Sequence, residues 1–156
     1  MSKHEKIFYD RLFPRLEKHK YNLLKIDAAS ISYITTPNTA KQICTIIKKY
    51  FNEYKFKMES IIDCTACVGG DTIALASIFN EVLSVEIEPN TYNMLENNIN
   101  VYNLKNVKLF NDDCLQLLKR IEYVQAVYFD PPWGGSDYKS MNKLRLFIGS
   151  ESIEKI

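Results

Sequence analysis

The fold is decided by residues 60–76, which have the sequence SIIDCTACVGGDTIALA. A short apolar run predicts a buried strand over residues 60–63 that ends in an acid. A loop of small residues follows at 64–70, and Asp71 or Thr72 is then placed to cap a helix beginning TIALASIF. This strand–loop–helix unit predicts the first part of a parallel α/β sheet.

The same alternation continues along the chain. Further strands are predicted over residues 81–88, 106–110 and 123–129, with helices over 91–104 and 114–121. Strands that alternate with helices of roughly ten residues indicate parallel βαβ units with right-handed crossovers. Acids follow all four strands at the edge where such sheets bind ligands: Asp63, Glu86, Asp113 and Asp130.

Residues 1–58 are predicted to form an N-terminal helical extension, and residues 59–156 the α/β core. Apolar residues recur at helical spacing near the N-terminus until Pro14 interrupts them. Thr36 followed by Pro37 predicts the start of a second, amphipathic helix. Its apolar face is predicted to contain Ile43, Ile46, Ile47, Tyr50, Phe51 and Tyr54.

Composition indicates one globular domain. The chain has 156 residues, 46% of them hydrophobic, and a formal net charge of +1. The near-neutral charge argues against a large non-specific nucleic-acid surface, so that contact with a nucleic acid requires a local patch. No apolar run approaches a membrane span and the N-terminus has no signal-peptide core. We therefore expect a cytoplasmic or nuclear monomer that is neither secreted nor bound to membranes.

The four cysteines do not predict a metal site. Cys64 and Cys67 form a lone C-x-x-C, and a structural zinc site would need two further ligands at suitable spacing, which the sequence lacks. Reduced thiols are the simplest interpretation. Redox use of the pair stays open at this stage.

The loop at 64–70 is typical of nucleotide-binding α/β sheets. Glu86 lies about twenty residues further on, where ribose hydroxyls would need an acceptor. This pairing fits a nicotinamide cofactor, a flavin or S-adenosylmethionine. The G-x-G-x-x-G phosphate pattern is absent, and Asp63 suits a positively charged ligand better than a pyrophosphate. Asp112 or Asp113 is placed either to accept from an adenine amino group or to cap the next helix.

The predicted reaction centre is AVYFDPPWGG, residues 126–135. Asp130 can accept hydrogen bonds from an amine. The two prolines that follow fix the backbone and remove two N–H donors, so nearby carbonyls can face a ligand. Trp133 offers a flat aromatic face, and the glycines after it allow a planar ligand to approach the main chain.

Three stretches carry a family resemblance: DCTACVGGDTIALA (63–76), VEIEP (85–89) and DPPWGGSDY (130–138). They resemble the class I methyltransferases, and more narrowly the trimethylguanosine synthase family, the RNA cap guanine-N2 methyltransferases. The ITTP segment at 34–37 also resembles a stretch upstream of the fold in that family. The resemblance covers about residues 8–138, and the acid-Pro-Pro-Trp-Gly-Gly run is its most specific part.

The resemblance implies a Rossmann-like fold that methylates the N2 amine of the 7-methylguanosine cap of RNA, with S-adenosylmethionine as cofactor and capped RNA as partner. Cofactor binding would involve Thr36, Asp63, Gly69, Gly70, Glu86 and Asp113. The catalytic residues would be Asp130, Pro131 and Trp133. Trp133 would also stack on the cap base, and Gly134 and Lys139 would contact the substrate. Lys143 and Arg145 are further candidates for contacts with the cap triphosphate.

The sequence departs from the family pattern at three points. Cys67 replaces a usual glycine, Ser136 stands where proline is common, and the family fold continues for several strands beyond the Trp-Gly-Gly motif. We therefore expect the C-terminal part of the sheet to be missing from this chain. Two alternatives stay open: methylation of an adenine or guanine amino group in tRNA, rRNA or DNA, and a truncated module that binds cap or cofactor without turnover.

Overall fold

A four-stranded parallel sheet forms the centre of the protein. The computed structural model describes residues 3–133, residue 140 and residues 142–156. The sheet contains β1 (Ser60–Asp63), β2 (Glu81–Glu86), β3 (Val107–Asn111) and β4 (Ala126–Tyr128), in the spatial order β3-β2-β1-β4. All three pairings are parallel. The predicted βαβ architecture is confirmed.

Two strands are shorter than predicted because side chains take the backbone hydrogen bonds that would extend the ladder. After β2 the Glu88 N–H donates to the Glu86 carboxylate at 2.9 Å, which turns the chain. Before β4 the Glu59 N–H donates to the side-chain oxygen of Gln125 at 3.0 Å. The Gln125 N–H in turn donates to the Ser60 hydroxyl at 3.2 Å.

Helices connect and cover the strands. They are α1 (Lys3–Leu12), α2 (Pro37–Glu53), α3 (Gly70–Leu75), α4 (Pro89–Tyr102) and α5 (Cys114–Leu118), and the C-terminal residues add a short antiparallel pair, β5 (Phe147–Ile148) and β6 (Glu151–Ser152). Among the residues that the structure describes, no helix combines the length and the apolarity needed to cross a membrane.

The predicted cap of α3 is wrong. Gly69 takes the N-cap position with φ +102°, in the left-handed region that glycine reaches without strain, and the helix begins at Gly70. Asp71 and Thr72 lie inside the first turn, where their side chains make buried hydrogen bonds to other elements. The turn at Gly69 therefore starts the helix earlier than the capping pattern predicts.

The N-terminal segment confirms the helix breaks but not the whole apolar face of α2. Helix α1 ends two residues before Pro14, and Thr36 is the N-cap of α2. The buried stripe of α2 is narrower than predicted, and Ile46 is 68% exposed. Tyr50 and Tyr54 are also exposed, because the helix contacts the core mainly through the stripe Ala40, Cys44 and Phe51.

One hydrophobic cluster joins the N-terminal extension to the α/β core. Phe13 and Tyr21 of the extension are fully buried with Val68 of the β1–α3 loop and Leu95 of α4. The division of the chain near residue 58 stays a prediction. In packing terms, however, the extension shares its core with the sheet.

Asn98 of α4 anchors this junction. Its side-chain oxygen accepts from the Lys25 N–H at 2.8 Å. Its amide nitrogen donates to the Lys25 carbonyl at 2.8 Å and to the Val68 carbonyl at 3.0 Å. Because Asn98 is fully buried, these bonds satisfy main-chain groups that water does not reach. The side chain thus holds both the extension and the β1–α3 loop.

Asn98→Ala should lower the free energy of unfolding by about 2–4 kcal/mol, because it leaves buried backbone groups unpaired. Urea unfolding followed by circular dichroism measures the change. The matched control is Asn93→Ala on the exposed face of the same helix, which should change stability by less than about 1 kcal/mol. Equal effects of the two substitutions would show that the Asn98 bonds contribute nothing beyond helix propensity.

Candidate functional site

The carboxyl ends of the strands surround a cavity of about 930 Å³. Residues from the ends of β1, β2 and β3 line it together with Pro132 and the β5–β6 segment. The lining residues include Cys67, Glu86, Asp112, Asp113 and Pro132. This is the edge at which parallel α/β sheets bind ligands, and the volume suits a ligand of nucleoside size.

The β1–α3 loop turns tightly at this edge. Cys67 has φ +48°, a left-handed conformation that side chains rarely adopt, and its N–H donates to the Glu86 carboxylate at 3.0 Å. The conformation explains why a glycine is favoured at this position, because glycine reaches the left-handed region without strain. Burial raises the pKa of the Cys67 thiol to about 11, so it is protonated at neutral pH.

Gly70 is required by a close backbone approach. A methyl group on Gly70 would lie 2.7 Å from the Thr35 carbonyl oxygen and 2.9 Å from Cγ1 of Ile34. The segment before α2 therefore packs directly against the first residue of α3. This packing brings the side chain of Thr35 to the carboxyl edge of the sheet.

Glu86 ends β2 and is held by two main-chain donors. Its carboxylate accepts from Cys67 and, at 2.9 Å, from Glu88. Partial burial raises the pKa of Glu86, and the two hydrogen bonds oppose that rise. The residue lines the cavity, so a fixed acceptor stands in the ligand space.

Asp63 has a different environment from the one predicted for it. It is fully buried at the end of β1 and does not line the cavity. Its carboxylate accepts from the Thr72 hydroxyl at 2.6 Å and from the Thr65 N–H at 3.2 Å. Burial raises the pKa of Asp63 to about 7. In this arrangement Asp63 braces the loop, and its contact with a cationic cofactor, directly or through water, stays a prediction.

Asp112 and Asp113 both line the cavity at the end of β3. Asp113 caps α5, because its carboxylate accepts from the Leu115 N–H at 2.9 Å. Asp112 forms an ion pair with Arg120. Asp113 therefore both caps α5 and lies beside the ligand space.

Asp130 follows β4 and is fixed at three points. Its N–H donates to the Thr65 hydroxyl at 2.8 Å. One carboxylate oxygen accepts from the Thr35 hydroxyl at 3.2 Å, and the other from the indole N–H of Trp133 at 3.1 Å. Pro131, which follows Asp130 in the chain, is buried. The predicted amine acceptor and the predicted base-stacking residue are therefore in direct contact.

Trp133 lines a second cavity of about 790 Å³ with Lys143 and Arg145. Its side chain is 46% exposed. Pro132 lines both cavities, as do Phe147 and Gly149. The two cavities are thus adjacent, and Pro132 of the acid-Pro-Pro-Trp run lies where they meet.

The predicted site residues divide into three groups. Glu86 and Asp113 line the larger cavity and Trp133 lines the smaller one. The predicted residues that line neither cavity are Thr36, Asp63, Gly69, Gly70, Asp130 and Pro131. Gly134 and Lys139 lie outside the described residues.

Sequence reasoning missed the roles of Thr35, Thr65 and Asp71. Their contacts with Asp130 or with one another cross between elements far apart in the chain. The signals of Thr35 were its position beside the Thr36 cap and its place in the ITTP segment at 34–37.

The described part of the chain contains no group of three or more His, Cys, Asp or Glu side chains arranged to hold a metal ion. All four cysteines are free thiols.

Comparison with known proteins identifies the fold first. A putative O-methyltransferase from Klebsiella pneumoniae superposes with a TM-score of 0.57 at 12% identity, over 83% of this chain and 60% of that one. At this identity the likeness concerns the fold alone, which is the Rossmann-like fold of the methyltransferases.

Sequence comparison then gives the family. Residues 58–154 match the model of the RNA cap guanine-N2 methyltransferases. The chain belongs to the RNA cap guanine-N2 methyltransferase family, as the motif resemblance indicated.

Two relatives illustrate the family match. An uncharacterized protein of Acanthamoeba polyphaga mimivirus is 32% identical over 93% of this chain and 64% of its own length. The trimethylguanosine synthase of Schizosaccharomyces pombe is 29% identical over 64% of this chain and 44% of its own length. The chain therefore spans less than two thirds of either relative.

Asp63 should make stability depend on pH. The pKa of Asp63 in the folded protein, about 7, lies above its ordinary value of 3.8. The proton that the folded protein holds at Asp63 therefore stabilises the fold fully below about pH 4, and this stabilisation is lost as pH rises through 7. Relative to Asp63→Asn, the wild-type free energy of unfolding should fall by roughly 3–4 kcal/mol between about pH 4 and pH 8.

Urea unfolding across this pH range measures the difference. Glu122→Gln, which neutralises an exposed acid, is the control and should remain parallel to the wild type. A difference between wild type and Asp63→Asn that stays constant with pH would mean that Asp63 is not the buried titrating group.

Proposed function

We propose that this chain transfers a methyl group from S-adenosylmethionine to the exocyclic N2 amine of the 7-methylguanosine cap of RNA. The observation that supports it is the adjacency of two ligand spaces. One is acid-lined at the carboxyl edge of the sheet, and the other is lined by Trp133 and two cations. Asp130 is hydrogen-bonded to that tryptophan. Pro132, which lies between them in the chain, lines both spaces.

The charge of the larger cavity fits a cationic nucleoside. Its carboxylates outnumber its cations, with Asp27, Glu86, Glu88, Asp112, Asp113 and Glu151 against Lys119 and Lys155. Such a lining disfavours a pyrophosphate and favours the sulfonium and ammonium charges of S-adenosylmethionine. Glu86 would accept from the ribose hydroxyls, and Asp113, which lines the same cavity, would lie near adenine. When bound, the cofactor supplies an electrophilic methyl group.

Asp130 and the Pro131 carbonyl would hold the target amine. Its lone pair is delocalised into the guanine ring, so hydrogen bonds from its two N–H groups would favour rehybridisation towards the incoming methyl group. The nitrogen lone pair forms the new N–C bond, and the C–S electron pair remains on sulfur, which becomes a neutral thioether. The nitrogen then releases one proton, for which the Asp130 carboxylate is the adjacent acceptor.

Trp133 would bind the base of the cap. A 7-methylated guanine is cationic, and such a charge over an indole gains about 0.5–2 kcal/mol compared with a neutral base. Lys143 and Arg145 line the same space, where they would neutralise the cap triphosphate, and Lys139 and Gly134 remain proposed substrate contacts. Capped RNA is the proposed partner.

Glu86→Gln should weaken binding of S-adenosylhomocysteine by about tenfold or more, because the ribose loses an ionised acceptor. Isothermal titration calorimetry on the 156-residue chain measures this. Glu122→Gln is the matched control and should bind as the wild type does. Binding that is unaffected by Glu86→Gln would remove Glu86 from the cofactor site, and no binding by the wild type would contradict the cofactor assignment altogether.

Methyl transfer to a capped RNA should exceed transfer to the same RNA without its cap by at least about tenfold, because only the cap presents a cationic base to Trp133. Transfer of a radioactive methyl group measures the ratio. Equal transfer to uncapped RNA or to DNA would favour an amino-group methyltransferase of other nucleic acids over the cap hypothesis.

Trp133→Ala provides the internal check on that assay. It should raise KM for capped RNA strongly while leaving the affinity for S-adenosylhomocysteine within about threefold. Trp133→Phe keeps an aromatic face, so its KM for capped RNA should lie between those of the wild type and Trp133→Ala. Equal losses of cap and cofactor binding would indicate a structural tryptophan.

A further inference from the structure

The Thr35 hydroxyl lies between two carboxylates. Its oxygen is 2.7 Å from Oδ2 of Asp71 and 3.2 Å from Oδ2 of Asp130. A hydroxyl carries one proton, so it can make a full two-centre hydrogen bond to only one of the acids. Both contacts can be full hydrogen bonds only if one carboxyl group is protonated and donates to the Thr35 oxygen.

Asp71 is the better candidate for that proton. It is 9% exposed, and its Oδ1 is buried without a hydrogen-bond partner. No ion pair involves Asp71 among the residues that the structure describes. Burial raises the pKa of Asp71 and the Asp130 charge adds to that rise, while hydrogen bonds with Thr35 and Tyr128 oppose it. Asp130 is less buried and accepts a second hydrogen bond from Trp133.

Among the described residues, no ion pair involves either acid of the pair. The titratable side chains that influence these acids are Asp63 at the end of β1, Tyr128 of β4 and Cys44 of α2. Burial raises the pKa of Tyr128 and of Cys44, so both are neutral at pH 7. Within this part of the chain, the contacts of the Asp130 carboxylate are the hydrogen bonds with Thr35 and Trp133.

The backbone fixes Thr35 in this position. The close approach of its carbonyl to Gly70 holds the main chain, and Thr36 then begins α2. A side chain of low freedom on a fixed backbone is suited to set the orientation of a neighbouring group. The N-terminal extension thus contributes directly to the geometry around Asp130.

We propose that Thr35 is a positioning residue, which passes a hydrogen bond from a protonated Asp71 to Asp130 and so keeps the Asp130 carboxylate oriented towards the substrate amine. This inference rests on the proposed function for its catalytic consequence. Its structural part, the dependence of the Asp130–Trp133 pair on Thr35, stands on the distances alone. The two parts therefore have separate readouts.

The first readout is kinetic. Thr35→Val should lower kcat for capped RNA by about tenfold or more, with KM for S-adenosylmethionine within about threefold, because it removes a hydrogen bond to a charged group that acts on the amine. Thr35→Ser keeps the hydroxyl and should restore most of the lost kcat. Thr45→Val makes the same chemical change on the exposed face of α2 and should have no effect.

The second readout needs no activity. Trp133 is the only tryptophan of the chain, so the protein has a single indole N–H signal in a ¹⁵N–¹H correlation spectrum, and that N–H bonds Asp130. Thr35→Val should move this signal, whereas Thr35→Ser and Thr45→Val should leave it in place. An unmoved signal in Thr35→Val overturns the inference whatever the substrate is.

Substitutions of Asp71 test whether its carboxyl group carries the proton. Asp71→Asn and Asp71→Leu both replace the carboxyl group by an uncharged side chain that does not titrate, but only the amide can donate to Thr35 as a protonated carboxyl group does. The kcat of Asp71→Asn should exceed that of Asp71→Leu by about tenfold or more, and equal values would overturn the inference. An inactive wild type with the expected indole shifts would instead contradict the proposed function and leave the Thr35 link intact.

Discussion

The close contact between Gly70 and the segment before α2 is the constraint on which the site depends. Space for even one methyl group is lacking there, so the first turn of α3 and the backbone of Thr35 must lie against each other. That contact brings a hydroxyl from the extension to the acids that follow β1 and β4. The extension is therefore part of the site and not only a cover for the core.

Three carboxyl groups lie close together near this contact, and each is accommodated differently. Asp63 is fully buried and braced by Thr72 and the loop backbone. Asp71 has one bonded and one unpartnered oxygen. Asp130 is the most accessible of the three and is oriented from both sides. Since unpaired buried charge is costly, this gradient of burial decides which acid can carry a negative charge to the ligand.

The sequence was sufficient for the sheet and the family but not for the details of the site. Alternating apolar runs predicted four parallel strands because periodicity is a local property. The acid-Pro-Pro-Trp run is likewise recognisable from consecutive residues alone. The bridge made by Thr35 depends on contacts between residues 36 and 95 positions apart. Asp63 lies between Ser84 of β2 and Tyr128 of β4 in the sheet. No local pattern encodes these contacts. The cap predicted at Asp71 or Thr72 failed for a related reason, because both side chains serve distant partners.

Asn98 has one more consequence. Its side-chain amide pairs with both the N–H and the carbonyl of Lys25, as a neighbouring strand residue would. The extension is thus joined to α4 through a main-chain group that every amino acid except proline provides. Recognition at this junction ignores the identity of the side chain at position 25. Over evolution, that position is therefore free to change, while proline there and any replacement of Asn98 should be selected against.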